Sequence, residues 1–140
     1  MSVLKVIIVA LDCSATSEQV LQALETLFLQ PETKLVLCHV LPSPESDGEV
    51  IPDRPHQSPA SLYQAAEKQL QAYQTKLPNS EIEIVGGDAT EEILRLANIH
   101  HADLIVIGTR GLKGVKRVIE GSVSSQVAAD APCSVLVVRH

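Results

Sequence analysis

Unbroken runs of branched apolar side chains constrain this chain more than any other feature. Lys5-Val6-Ile7-Ile8-Val9-Ala10-Leu11 and Leu104-Ile105-Val106-Ile107 show no polar alternation. A strand wetted on one face alternates, so each run suits a parallel strand covered on both faces. Lys34 to Leu41 is a further strand, and Cys133 to Val138 a last one. Glu81-Ile82-Glu83-Ile84-Val85 does alternate, as an edge strand would. The intervening segments carry helical apolar stripes: Val20, Ala23, Leu24, Leu27 and Phe28; then Leu62, Ala65, Ala66, Leu70, Tyr73 and Leu77; then Ile93, Leu94, Leu96, Ala97 and Ile99. Strands alternating with amphipathic helices imply right-handed crossovers, and hence an α/β domain on one parallel sheet of about five strands.

Local signals set the boundaries. Thr16 with Gln19 has capping-box spacing, and Pro31 is a stop. Ser58-Pro59 reads as N-cap then first helical residue, with Pro78-Asn79 closing that helix near Lys76. Asp88 with Glu91 opens the next helix, with Thr90 a rival cap, and Pro132 ends the last one. Residues 42–60 are rich in proline, serine and acids and lack periodicity, which predicts a mobile surface loop, either a lid or a solvated excursion.

At 140 residues the chain fits one domain. Its formal charge of −6 argues against general affinity for nucleic acid or an anionic membrane. Aromatics are confined to Phe28, Tyr63 and Tyr73, too few for a base-stacking platform. No apolar run approaches the ~20 residues of a membrane span, and Met1 to Lys5 has no signal-peptide layout, so a cytoplasmic location is expected. Cys13, Cys38 and Cys133 form no paired spacing; Cys38 and Cys133 read as small core residues, and Cys13 as accessible in a loop. His39 reads as a structural hydrogen-bonder. His100-His101 suits a helix end, and no third metal ligand is spaced nearby.

The chemistry gathers in residues 104–125. Gly108 ends an apolar strand, Gly111 and Gly114 follow, and Gly121-Ser122 precedes a short helix from Val123 to Ala129, with Ser122 as its expected N-cap. Arg110, Lys113, Lys116 and Arg117 are interspersed. Glycines permit close backbone approach to a ligand, and a helix N-terminus presents unpaired N–H groups and partial positive charge. Together they suit a phosphate, with Ser124 and Ser125 offering further hydroxyls. Asp12 stands at the carboxyl end of the first strand, where doubly wound folds place ligands.

Gly108-Thr109-Arg110-Gly111, nine further residues, then Gly121-Ser122 matches the Gly-x2-Gly-x9-Gly-(Ser/Thr) pattern of the ATP-binding branch of the universal stress protein family. The whole chain, 1–140, resembles that domain. The resemblance implies a single-domain, doubly wound, five-stranded parallel sheet of order 3-2-1-4-5 with helices on both faces, Rossmann-like and similar to adenine nucleotide alpha hydrolases. It implies adenine against Asp12 and Val40, with the backbone of Ala10 and Leu11 beside it. Ribose would lie near Ile107 and Gly108, and phosphates on Arg110, Gly111, Gly121, Ser122, Val123 and Ser124. ATP is the implied ligand, with magnesium carried by its phosphates. A homodimer through Val135, Leu136, Val137 and Val138 is implied as well, and a regulatory protein partner that reads the nucleotide state.

Other nucleotide and hydrolase signatures are missing. There is no GxxxxGK(S/T), GxGxxG or GxSxG, and no acidic pair after the first strand as a receiver domain needs. The function expected is therefore ATP-dependent regulation in a stress response. Two alternatives stay open: slow ATP hydrolysis, for which cations are present but no clear base, and an interaction module taking AMP or cyclic AMP.

Overall fold

The computed structural model describes residues 5–11, 15–25, 27, 30–41, 59–108 and 122–138, with only the backbone at 15, 16, 59 and 122. Along the chain run β1 (Val6–Ala10), α1 (Ala15–Glu25), β2 (Lys34–Leu41), α2 (Pro59–Gln74), β3 (Ser80–Gly86), α3 (Ala89–Ile99), β4 (Leu104–Gly108), α4 (Ser122–Asp130) and β5 (Ser134–Val138). The five strands form one parallel sheet in the order β3-β2-β1-β4-β5. This is the predicted topology, with β1 and β4 adjacent at the point where the winding reverses.

The unbroken apolar runs are explained by two cores, one on each face. Ile7, Val9, Leu35, Leu37, Leu104 and Val106 meet Val20 and Leu24 of α1 and Leu70 of α2. Their sequence neighbours Ile8, Val36, Cys38, Ile105 and Ile107 meet Ile93, Leu96 and Ala97 of α3 and Val127 of α4. A strand side chain alternates faces, so a strand roofed by helices on both sides has no position for a polar residue. β3 and β5 are the edges, and β3 keeps its alternation, with Ile82 and Ile84 on the α1/α2 side and Glu81 and Glu83 on the other.

Local chemistry closes the elements. Asp88, at φ −78° and ψ 127°, accepts from the Glu91 N–H at 2.9 Å, so it rather than Thr90 caps α3. Asn79 takes positive φ (59°), and its side-chain amide donates to the carbonyls of Glu32 and Thr33, tying the end of α2 to the start of β2. Asp103 accepts from the main-chain N–H groups of Lys5 and Val6 at 2.8 and 3.0 Å, fastening the start of β1 to that of β4.

Several sequence expectations need correction. α1 already begins at Ala15, so Thr16 lies inside the helix instead of capping it. α4 begins at Ser122, which is therefore its first helical residue and not its N-cap. Ala65 and Ile99 fit the apolar stripes of their helices, yet both are exposed, Ile99 at 54%. The loop at 42–60 and Cys13 fall outside the described residues, apart from Pro59 and Ala60 at the start of α2.

Cys38 is fully enclosed between sheet and α3, and burial, helped by Glu83 and Glu92, pushes its thiol up to about 12. The neutral thiol is thus the form that folding favours. Stability from this group is full below the unfolded thiol value near 9 and declines as pH rises towards about 12. The expected loss is up to about 1.4 kcal/mol per pH unit over that window, and Cys38→Ala should flatten it. Urea titrations of both proteins between pH 8 and pH 10.5 read this directly; parallel curves would refute it.

Candidate nucleotide site

A parallel strand directs the main-chain groups of successive residues to opposite neighbours. In β2 the alternation can be followed bond by bond. Lys34 N–H donates to the Lys5 carbonyl and the Cys38 carbonyl accepts from Leu11 N–H, so even-numbered residues face β1. Leu35 N–H donates to Asn79 and the Leu41 carbonyl accepts from Gly87 N–H, so odd-numbered residues face β3. Val40 therefore directs its N–H and carbonyl towards the β1 side. The β1–β2 register, however, ends at Ala10 opposite Cys38. Val40 lies past the last rung, at the carboxyl end of the sheet.

Side chains converge at the same end. Ile107 is buried (6% exposed), and Ala10, Val40, Val85 and Val123 are partly buried against the same apolar cluster. Ala10 pairs with Ile107 across the β1–β4 switch, and Val40 with Val85. Four residues singled out from sequence, Ala10, Val40, Ile107 and Val123, thus share one apolar floor at the carboxyl ends of β1, β2 and β4. Val85 is an addition that sequence reasoning missed; its only signal was an apolar residue in the phase of Glu81 and Glu83, where the alternation of β3 breaks.

Leu11 continues from β1 and is buried on the opposite, α1/α2 face. Gly108 ends β4 under α1: a Cβ there would stand 3.3 Å from Val20 Cγ2. Close helix approach, more than backbone conformation, is what this glycine serves. α4 returns antiparallel to β4, so its N-terminus at Ser122 lies at the carboxyl end of the sheet, and Val123 secures it there. Ser124 is buried (4% exposed) and already engaged with a partner. Asp12, Arg110, Gly111, Gly121 and the Ser122 side chain lie outside the described residues.

His39 precedes Val40 in β2 and turns its ring to the opposite, α1/α2 face of the sheet. Its Nδ1 is 2.8 Å from the Leu11 carbonyl oxygen. A carbonyl only accepts, so the ring carries its proton on Nδ1 in this arrangement. The expectation of a structural hydrogen bond is met, and its place is informative.

A second polar group lies elsewhere. His100 at the C-cap of α3 sets Nε2 3.0 Å from Glu83 Oε2 and Nδ1 3.8 Å from Glu81 Oε1, and Lys34 Nζ lies 2.9 Å from that same Glu81 oxygen. One ligand atom from each of Glu81, Glu83 and His100 falls within 4.8 Å of the others, a grouping that the end of α3 meeting β3 creates and that spacing along the sequence hid. Lys34 already supplies Glu81 with a cation and the His100 ring bonds Glu83, so the group fastens the end of α3 and the start of β2 to the edge strand. With both glutamates more than a third exposed, it is worth little, about 1 kcal/mol or less per pair.

A five-stranded parallel sheet covered by helices on both faces, with its winding reversing between β1 and β4, defines the doubly wound, Rossmann-like α/β class. The family model "Universal stress protein family" matches residues 4–139, and the chain belongs to that family. It is 30% identical to the universal stress protein Sll1388 of Synechocystis, over 96% of this chain and 97% of the relative. Among solved structures, UspA from Lactobacillus plantarum superposes with a TM-score of 0.70 at 25% identity, covering 99% of this chain and all of that one. Three more distant neighbours were solved with adenine nucleotides. They are a universal stress protein with cAMP (TM-score 0.66, 23% identity, 98% of each chain), one from Archaeoglobus fulgidus with dAMP (0.60, 17%, 99% of each) and one from Arabidopsis thaliana with AMP (0.64, 18%, 97% and 92%). At those identities they establish a shared fold.

Proposed function

We propose that this chain binds an adenine nucleotide, ATP foremost, at the carboxyl ends of β1, β2 and β4, and that a partner protein reads its nucleotide state. The observation that carries the proposal is the convergence of Ala10, Val40, Ile107 and Val123 on one apolar floor beside the α4 N-terminus. The floor suits a flat base, and the helix end suits an anion. The structural neighbours that bind AMP, dAMP and cAMP support the adenine. A triphosphate is favoured by Arg110, Gly111 and Gly121-Ser122, spaced for a longer phosphate tail. Micromolar affinity needs about 8 kcal/mol, which a few charge-assisted bonds of about 1.5–3 kcal/mol each supply after ordering costs. Magnesium would arrive with the phosphates.

Two further elements belong to this reading. Val135, Leu136, Val137 and Val138 form an edge strand half-buried in the single chain, suited to pairing with a second copy. The setting is the cytoplasm; among the described residues no helix is long and apolar enough to cross a membrane.

The test is a thermal-shift and calorimetry panel of Mg-ATP, AMP, cyclic AMP and Mg-GTP, with sedimentation of the same material. Saturable, adenine-selective binding with ATP tightest, on a dimer, is the expected result. Equal shifts for GTP would refute base selection, and monomer alone at micromolar concentration would refute the β5 pairing.

A further inference from the structure

We propose that His39 is a positioning residue for the nucleobase: by taking the Leu11 carbonyl it stops the β1–β2 ladder one rung short and leaves the Val40 N–H to the ligand. The inference deepens the adenine-nucleotide reading and rests on it.

The argument starts from the ladder. Leu11 N–H donates to the Cys38 carbonyl at 2.8 Å, so the next rung of a parallel pair would take Val40 N–H to the Leu11 carbonyl. That rung is not made: the register ends at Ala10 and Cys38, and Leu11 lies outside the strand. His39 alternates with Cys38 and Val40 and shares a face with Leu35 and Leu37, so its ring stands on the α1/α2 side of the sheet. The Leu11 carbonyl oxygen, 2.8 Å from Nδ1, thus has its hydrogen bond with the ring on that side, where the ladder would have given it the Val40 N–H. The acceptor that would have closed the ladder is occupied by a side chain from the neighbouring residue.

The consequence is selective. Val40 directs both an N–H and a carbonyl across the end of β1. Adenine offers an acceptor, N1, and a donor, the N6 amino group, side by side on its Watson–Crick edge. Guanine offers the reverse pair, N1–H and O6. An unclosed donor–acceptor pair on Val40 matches the first edge and opposes both groups of the second. A closed ladder would cancel this discrimination, because its donor would be spent on Leu11.

Two variants separate positioning from mere support. The Asn side-chain nitrogen is attached to Cγ as His Nδ1 is, so His39→Asn keeps a donor in place, whereas His39→Leu keeps bulk and loses it. Amide exchange on ¹⁵N-labelled, nucleotide-free protein should show the Val40 N–H unprotected in the wild type and in His39→Asn. It should be protected at least about tenfold more in His39→Leu, with Leu35 and Leu37 unchanged as controls for the strand. The ATP dissociation constant should rise about tenfold in His39→Leu, the worth of one hydrogen bond, with Asn near wild type. Val40 already protected in the wild type, or equal affinity in all three proteins, would overturn the proposal. Failure of the wild type to bind any adenine nucleotide would overturn the base-reading role together with the site, while Val40 exchange would still decide the Leu11 clamp by itself.

Discussion

Ile105→Ala is expected to lower the unfolding free energy by about 3–4 kcal/mol and the melting temperature by about 10 °C. Ile105 is wholly buried at the middle of β4, opposite Ile8 on one side and Val135 on the other. It lies in the cluster that α3 and α4 cover through Ile93, Leu96, Ala97 and Val127. Removing three carbons loses their transfer free energy and leaves a cavity that a hydrogen-bonded central strand cannot move to fill. The loss is a large fraction of the 5–15 kcal/mol that holds a typical domain together. Ile99→Ala is the matched control: Ile99 is 54% exposed, and the cost should stay within about 0.5 kcal/mol. Denaturant titrations of the two variants decide it. Similar losses at both positions would mean that the burial of the β4 centre has been misread.

Gly121→Val should weaken ATP binding at least about a hundredfold, or about 2.7 kcal/mol, with AMP affected less than ATP. Gly121 immediately precedes α4, whose first N–H groups have no partner within the helix. A phosphate held on those groups must approach the main chain closely, and a branched side chain at the entry fills that space. The floor proposed for the base, Ala10, Val40 and Ile107, is not touched by this change. The split between ATP and AMP therefore separates loss of phosphate binding from general damage. Calorimetry on wild type and variant reads it, and equal ATP affinity would refute a phosphate cradle at this position.

Much of the fold was legible because strand and helix periods are local properties. The unbroken apolar runs at Val6–Ala10 and Leu104–Ile107 suit strands roofed on both faces, and both are. Asp88 and Pro59 stood at the helix starts their chemistry suggests. Thr16 and Ser122 did not, because a hydroxyl within one turn of a helix start carries the same local signal as one at the cap. Ala65 and Ile99 fit the helical period yet are exposed, since periodicity says which face is apolar and not how far the opposing sheet extends beneath it.

The sequence by itself determined the parallel α/β architecture, the strands on which Ala10, Val40, Ile107 and Gly108 sit, and family membership, because each follows from residue types at short fixed spacing. Only the tertiary structure decided which residues meet across long separations. It set His39 against Leu11, brought Glu81 and Glu83 to His100 and Lys34, and gathered Val85 onto the floor with Val40 and Ile107. Those contacts depend on strand order and register, which arise from the packing of the whole sheet and leave no mark on neighbouring residues.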